Sequence, residues 1–151
     1  MSRGGVAAVL MVAGLVLGGC EEPYVIDGPP FFEVGTGEYA FEAVVEGDKL
    51  PIYHGEQGGS HVWLGVRVSN MQPSGFHLET ALQVVEDGTP TGFDLFFDVD
   101  LFKGPSGDLE YAGLPLQIEP DDLQGVRIRA TITATDRDGR TMSDSMEIIP
   151  Q

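Results

Sequence analysis

Thiol chemistry is almost missing from this chain, whose 151 residues include one cysteine, Cys20. Beyond that position no disulfide, thiolate metal ligand or cysteine nucleophile can be built. Positive charge is scarce as well. Eight lysines and arginines stand against 24 aspartates and glutamates, a formal charge of −16, so nucleic acid and anionic headgroups would be repelled. No segment of helical length carries a 3.6-residue apolar period. The sequence has no GxSxG elbow, P-loop or HExxH pair, and Gly35-Thr36-Gly37 lacks the third glycine and following helix of a dinucleotide site. Ser60 and His61 are neighbours on a strand start, where successive side chains diverge and cannot form a nucleophile and base. A length of 151 residues allows one domain, and these absences predict that it has no catalytic activity.

What is present begins with an export signal. Arg3 supplies a small positive n-region, and Val6 to Leu17 is an apolar run of 12 residues. That run is too short for a bilayer, which needs roughly 20 residues, and right for the h-region of a signal peptide. Leu17-Gly18-Gly19-Cys20 then resembles the lipobox of bacterial lipoproteins. The resemblance implies that Cys20 is diacylated, that residues 1–19 are removed, and that the new amino terminus is acylated. It also implies a stable membrane anchor, since several acyl chains hold where one does not. Glu21 rather than aspartate after the cysteine leans, by the same resemblance, towards the outer membrane. Glu21-Glu22-Pro23 and Asp27-Gly28-Pro29-Pro30 read as a polar, proline-broken tether, with Phe31-Phe32-Glu33-Val34 as a short edge strand. The expected division is 1–19 signal peptide, 20–37 lipidated cysteine and tether or edge strand, and 38–151 folded domain.

From Glu38 onward the apolar period is close to two, and turn residues recur roughly every eight to twelve positions. Tyr39 to Glu46 is expected as a strand. Val62, Leu64, Val66 and Val68 form one row and His61, Trp63, Gly65, Arg67 and Ser69 the other, so the valine-rich row faces the core. Phe76, Leu78, Thr80, Leu82 and Val84 make the next inward row. Phe93, Leu95, Phe97, Val99 and Leu101 follow, leaving Asp94, Phe96, Asp98 and Asp100 outside. The simplest pairing of 61–69 with 76–85 is a hairpin across Asn70-Met71-Gln72-Pro73-Ser74-Gly75, with Ser69 opposite His77, Arg67 opposite Glu79 and Trp63 opposite Gln83.

Val126, Ile128, Ala130, Ile132 and Ala134 also point inward, and Asp136-Arg137-Asp138-Gly139-Arg140 turns the chain into Thr141 to Ile149. Pairing Asp136 with Arg140 leaves a three-residue loop with Gly139 left-handed. Met142, Met146 and Ile148 then face the core, and Asp144 joins them, a charge expected on an edge strand. The run from Ala130 to Thr141 resembles the closing hairpin of bacterial immunoglobulin-like domains, and Pro120 to Gly125 looks like their crossover turn. The expected fold is all-β, an immunoglobulin-like β-sandwich of about seven to eight antiparallel strands, of the disulfide-free kind.

Candidate sites gather in residues 54–69, which hold two of the three histidines and the only tryptophan. His54 and His61, at the ends of the loop Gly55-Glu56-Gln57-Gly58-Gly59, offer copper or zinc two imidazoles, with Glu56 as a third ligand. Loop glycines are also what a tight bend demands. His77 is excluded from such a site, because the hairpin pairing sets it on the order of 26 Å from His61. Calcium is a further possibility at Asp136 and Asp138, or Asp98 and Asp100, although neither pair makes an extended oxygen-rich loop. Trp63 is on the outward row, where an indole needs a cover or a partner. Either Phe31-Phe32, or Phe96 and Phe102, cover it, or His61, Trp63 and Arg67 form a binding patch, since Trp and Arg dominate interfaces.

Residues 55–63 also look like a segment of predicted bacterial lipoproteins without assigned activity. The expectation is a lipid-anchored envelope module that binds or has a structural role. Its partners would be the membrane, reached through the acyl chains, and an envelope protein, with no nucleic acid and no cofactor beyond the covalent lipid. The alternative is an envelope metal-binding module using His54 and His61.

Overall fold

The structure, a computed structural model, describes residues 24–56 and 58–151. The expected signal peptide, residues 1–19, and Cys20 lie outside the described residues. In chain order the strands are β1 (Phe31–Gly35), β2 (Asp48–Leu50), β3 (Tyr53–His54), β4 (Ser60–Ser69), β5 (Phe76–Val84), β6 (Pro90–Val99), β7 (Phe102–Lys103), β8 (Leu109–Ile118), β9 (Ile128–Thr135) and β10 (Thr141–Pro150). A single helical turn, α1 (Pro120–Leu123), lies between β8 and β9.

Two sheets pack face to face. The first runs β1-β4-β8-β7, with β3 also pairing β4, and the second runs β2-β10-β9-β5-β6. Taking β1, β4, β8 and β7 as A, B, E and D, and β5, β9 and β10 as C, F and G, reproduces the immunoglobulin arrangement, with β6 added beside C. The expected fold is therefore present. Among the described residues seven strands have five or more residues; the others are two or three residues long, and β2 joins β10 in parallel rather than antiparallel fashion.

The alternating rows explain the core. Val62, Leu64, Val66 and Val68 of β4 face Phe76 and Leu78 of β5 and Ile128, Ala130, Ile132 and Ala134 of β9, all fully buried. Burial of side chains of this size stabilises by about 1.5–3 kcal/mol each for the larger ones. At the β9–β10 turn, Asp136 N–H donates to Arg140 O at 2.9 Å, Gly139 has φ +80°, and Thr135 lies opposite Thr141. The three-residue loop forms as its glycine requires, and Met146 and Ile148 are buried.

Three expectations are corrected. Strands β4 and β5 do not pair; β4 lies between β1 and β8, and β5 between β6 and β9. Residues 70–75 cross from one sheet to the other, turning at Asn70, whose φ is +56°. The physical reason is that two inward rows face one core equally well from the same sheet or from opposite sheets, and parity cannot choose between them. Tyr39 to Glu46 is not a strand. Apart from an isolated bridge between Thr36 and Glu42 it is irregular, and Gly37 just before it has φ +120°. Finally, residues 24–30 are docked rather than spaced away: the Tyr24 hydroxyl accepts from Asn70 N–H at 2.7 Å, and Asn70 Nδ2 donates to Pro29 O at 3.0 Å. Asp144 also has a more specific role than protecting an edge. Its Oδ2 accepts Val34 N–H at 3.0 Å, tying β10 to β1 of the opposite sheet.

Candidate functional site: a strapped aromatic face

The outward row of β4 meets a row of small residues. Gly35 of β1 lies opposite Gly65 of β4, and Gly113 of β8 occupies the register shift beside Gly65, with φ +77°. Three neighbouring strands thus carry no side chain at one level, and Thr36–Glu42 lies across the shelf as a strap. Gly113 N–H donates to Gly37 O at 2.9 Å, and Thr36 and Glu42 exchange two backbone hydrogen bonds of 2.8 Å. Thr36 Oγ1 donates to Trp63 O at 2.6 Å. A Cβ on Gly65 would stand 2.8 Å from Thr36 O, and one on Gly113 would stand 2.8 Å from Glu38 O. Only glycine admits this approach.

Phe41 closes the strap. It is 8% exposed, and the Arg67 guanidinium lies 4.2 Å from its ring centroid. Arg67 also reaches Glu110 at 3.3 Å and Glu33 at 3.4 Å. Arg67 is therefore occupied in holding the strap down, and the structure does not leave it free to join His61 and Trp63 in a patch.

His61 and Trp63 do come together, with Tyr53, which the β3–β4 pairing places opposite His61. The His61 and Trp63 rings meet edge to face at 4.2 Å, and Tyr53 lies 5.9 Å from His61 and 6.0 Å from Trp63. Such contacts contribute about 0.5–1.5 kcal/mol each beyond area burial. Trp63 Nε1 and His61 Nε2 are buried without a hydrogen-bond partner among the described residues. Trp63 packs against His61 and Tyr53 beside the strap, and not against the segments expected. Phe32 points into the core, while Phe31, Phe96 and Phe102 are 45%, 64% and 69% exposed.

The strap divides the surface into two clefts that share Tyr39 and Ala40. One, of about 500 Å³, is lined by Glu38, Tyr39, Glu42, Lys49, Tyr53 and Trp63 among others. The second, of about 430 Å³, is lined by Tyr39, Phe41, Phe102, Lys103, Glu110 and Tyr111 among others. Sequence reasoning found Trp63 but missed Tyr39, Tyr53, Lys49 and Lys103. The readable signal was Gly35, Gly65 and Gly113, outward glycines where strands ordinarily carry larger residues.

The expected metal ligands are separated. His54 pairs with Ser60 and His61 with Tyr53, so the two imidazoles leave opposite faces of the β3–β4 ribbon, and His54 Nδ1 lies 2.9 Å from Ser60 Oγ. Glu56 is exposed in the turn, where Gly58 and Gly59 have φ +84° and +91°. Among the described residues no group of three or more His, Cys, Asp and Glu side chains is placed to hold a metal ion.

The aspartates considered for calcium have protein partners. Asp136, 3% exposed, accepts Asp138 N–H and Arg140 N–H at 2.9 Å and Gln72 N–H at 3.2 Å. Asp138 accepts from Gln72 Nε2 at 2.8 Å, and Asp100 accepts Gly75 N–H at 2.9 Å. Asp98 bonds His77 Nδ1 at 2.9 Å; this hydrogen bond is the main cause raising the His77 pKa above its ordinary 6.5. His77 lies on the other sheet from His61 and faces Asp98, Glu79 and the Phe96 ring.

Comparison with protein family models, with curated proteins and with solved structures finds no match to this chain.

Proposed function

We propose that this chain is a lipid-anchored module of the bacterial cell envelope, held at the outer membrane through acylated Cys20, that works by binding or structural association and not by catalysis. The anchoring reading is supported by the apolar run ending in Leu17-Gly18-Gly19-Cys20. The observation that carries the binding reading is the concentration of exposed aromatic side chains at the strapped face. Tyr39 is 90% exposed, Phe102 69% and Tyr53 39%, all three bordering the two clefts. Exposed apolar side chains gathered around concavities mark interaction surfaces, whereas scattered ones do not.

The copper or zinc alternative has no support from the geometry, since His54 and His61 diverge. Expression of the whole chain in a bacterial host, with mass spectrometry of its amino-terminal peptide and membrane fractionation, tests the anchor. The expected result is an acylated peptide starting at Cys20 and membrane association that the Cys20→Ser variant loses. An unmodified Cys20 in a membrane-free protein would sink the reading.

A further inference from the structure

We infer that the two clefts beside the Thr36–Glu42 strap form consecutive subsites for a neutral saccharide chain, one sugar ring stacking on each side of Tyr39; this rests on the reading of the strapped face as a binding surface. Three observations carry it. The first is the chemistry of the walls. Each cleft presents aromatic rings, Tyr53 and Trp63 in one and Phe102 and Tyr111 in the other, with Tyr39 common to both. A sugar ring offers an apolar C–H face to stack on such rings and an edge of hydroxyls that both donate and accept.

The second observation is local charge. The chain has two lysines, Lys49 and Lys103, in a protein of net charge −16, and one borders each cleft. Glu38 and Glu42 stand in the first cleft with Lys49, and Glu110, bound to Arg67, stands in the second with Lys103. Each cleft therefore holds charged donors and acceptors of both signs, which suits hydroxyl groups. An anionic ligand would be repelled by the protein as a whole, and the lysine in each cleft keeps either from being purely acidic.

The third is the pair of ring nitrogens without partners. Trp63, which lines the larger cleft, and His61, whose ring packs edge to face against it at 4.2 Å, have Nε1 and Nε2 buried and unbonded among the described residues. Leaving a buried polar group unsatisfied is unfavourable, so a ligand hydroxyl reaching them after a small ring movement recovers an interaction the free protein lacks. A peptide fits less well. The backbone N–H and C=O of Thr36 and Glu42 and the C=O of Gly37 are already bonded, and the strand edges that border the clefts, β2, β3 and β7, are only two or three residues long. Among the described residues these edges offer an extended chain only a short ladder to join.

The test uses the full detergent-solubilised chain, titrated by saturation-transfer NMR and calorimetry with the monomer, dimer and tetramer of β-linked glucose and of β-linked N-acetylglucosamine. Binding is expected to tighten from monomer to tetramer in at least one series, as the second cleft becomes occupied. Tyr39→Ala and Phe102→Ala, both on exposed side chains, are expected to weaken the tetramer by about tenfold, roughly 1.4 kcal/mol, at unchanged melting temperature. Trp63→Phe keeps an aromatic ring and removes the N–H, so it separates hydrogen bonding from stacking. Three outcomes overturn the inference: no response to either series at millimolar sugar, equal affinity in both alanine variants, or binding of a proline-rich peptide without any sugar. Acylation of Cys20 is read on the same preparation, so a lipidated chain that ignores saccharides refutes only this inference, and an unacylated chain that binds them refutes only the anchor.

Discussion

The two outer faces of this sandwich are built on strands with the same inward pattern and are finished in opposite ways. On the β5–β6–β9–β10 side the outward row is Glu79, Ala81, Asp94, Phe96, Asp98, Thr131, Thr133, Ser143 and Ser145, polar except for Ala81 and an isolated phenylalanine, and left to solvent. On the β1–β4–β8 side the outward row is Gly35, Trp63, Gly65, Arg67 and Gly113, covered by a strap and flanked by two aromatic clefts. The difference teaches that a sheet face becomes a site here by omitting side chains. Glycines on three adjacent strands let a loop descend onto the sheet, and the loop's own edges then create the concavities.

Removing one phenylalanine from each face separates the two most directly. Phe41→Ala, beneath the strap, is expected to cost about 3 kcal/mol, the low end for a buried phenylalanine. Trp63 emission should shift to the red as the strap loosens. Phe96→Ala on the other face, at 64% exposure, is expected to stay within about 0.5 kcal/mol. Equal losses in denaturant unfolding would mean that the strap is not a packed element.

Adding atoms is the converse test and a smaller effect. Gly65→Val puts a branched side chain where a Cβ already stands 2.8 Å from Thr36 O and 3.3 Å from the Phe41 ring. The expected loss is about 1–3 kcal/mol, with the strap displaced. Ala81→Val, also mid-strand but exposed on the polar face, should be neutral or slightly stabilising, since β-branched residues suit a strand. A Gly65→Val protein as stable as wild type would refute the shelf.

The smallest effect belongs to the polar face alone. The His77 pKa is raised chiefly by its hydrogen bond to Asp98, with Glu79 adding and desolvation opposing. A raised folded-state value means that the contribution is fully present below the unfolded value near 6.5 and is lost as pH rises through the folded one. Melting temperatures of wild type and His77→Gln should therefore converge as pH rises from about 6 to about 8. A difference constant with pH would show that the imidazole's charge plays no part. Because His77 and Asp98 are exposed, the effect is expected to be slight and to shrink with salt.

How much of this could be read beforehand differs between the fold and the site. The rows Val62 to Val68, Phe76 to Leu82 and Ile128 to Ala134 could be read because strand parity is local, and each was buried as its alternation required. The Asp136 to Arg140 turn could be read because Gly139 relieves a specific backbone strain. The expected β4–β5 hairpin does not form, and the sequence could not show this, because parity says which side faces the core and not which sheet a strand joins. For the site, Trp63 stood out by its position, but its neighbour Tyr53 did not, because Tyr53 arrives from a two-residue strand with no period of its own.

By itself the sequence determined the inward rows, the turn chemistry, the acidic charge and the expectation of an immunoglobulin-like sandwich, since each follows from neighbouring residues and the two-residue strand period. The tertiary structure alone decided sheet membership, the opposite facing of His54 and His61, the commitment of Arg67 to Phe41, and the descent of the strap onto Gly35, Gly65 and Gly113. Those four features depend on contacts between residues distant along the chain, and the closure of such contacts is decided by packing of the whole core. Local pattern carries no record of it.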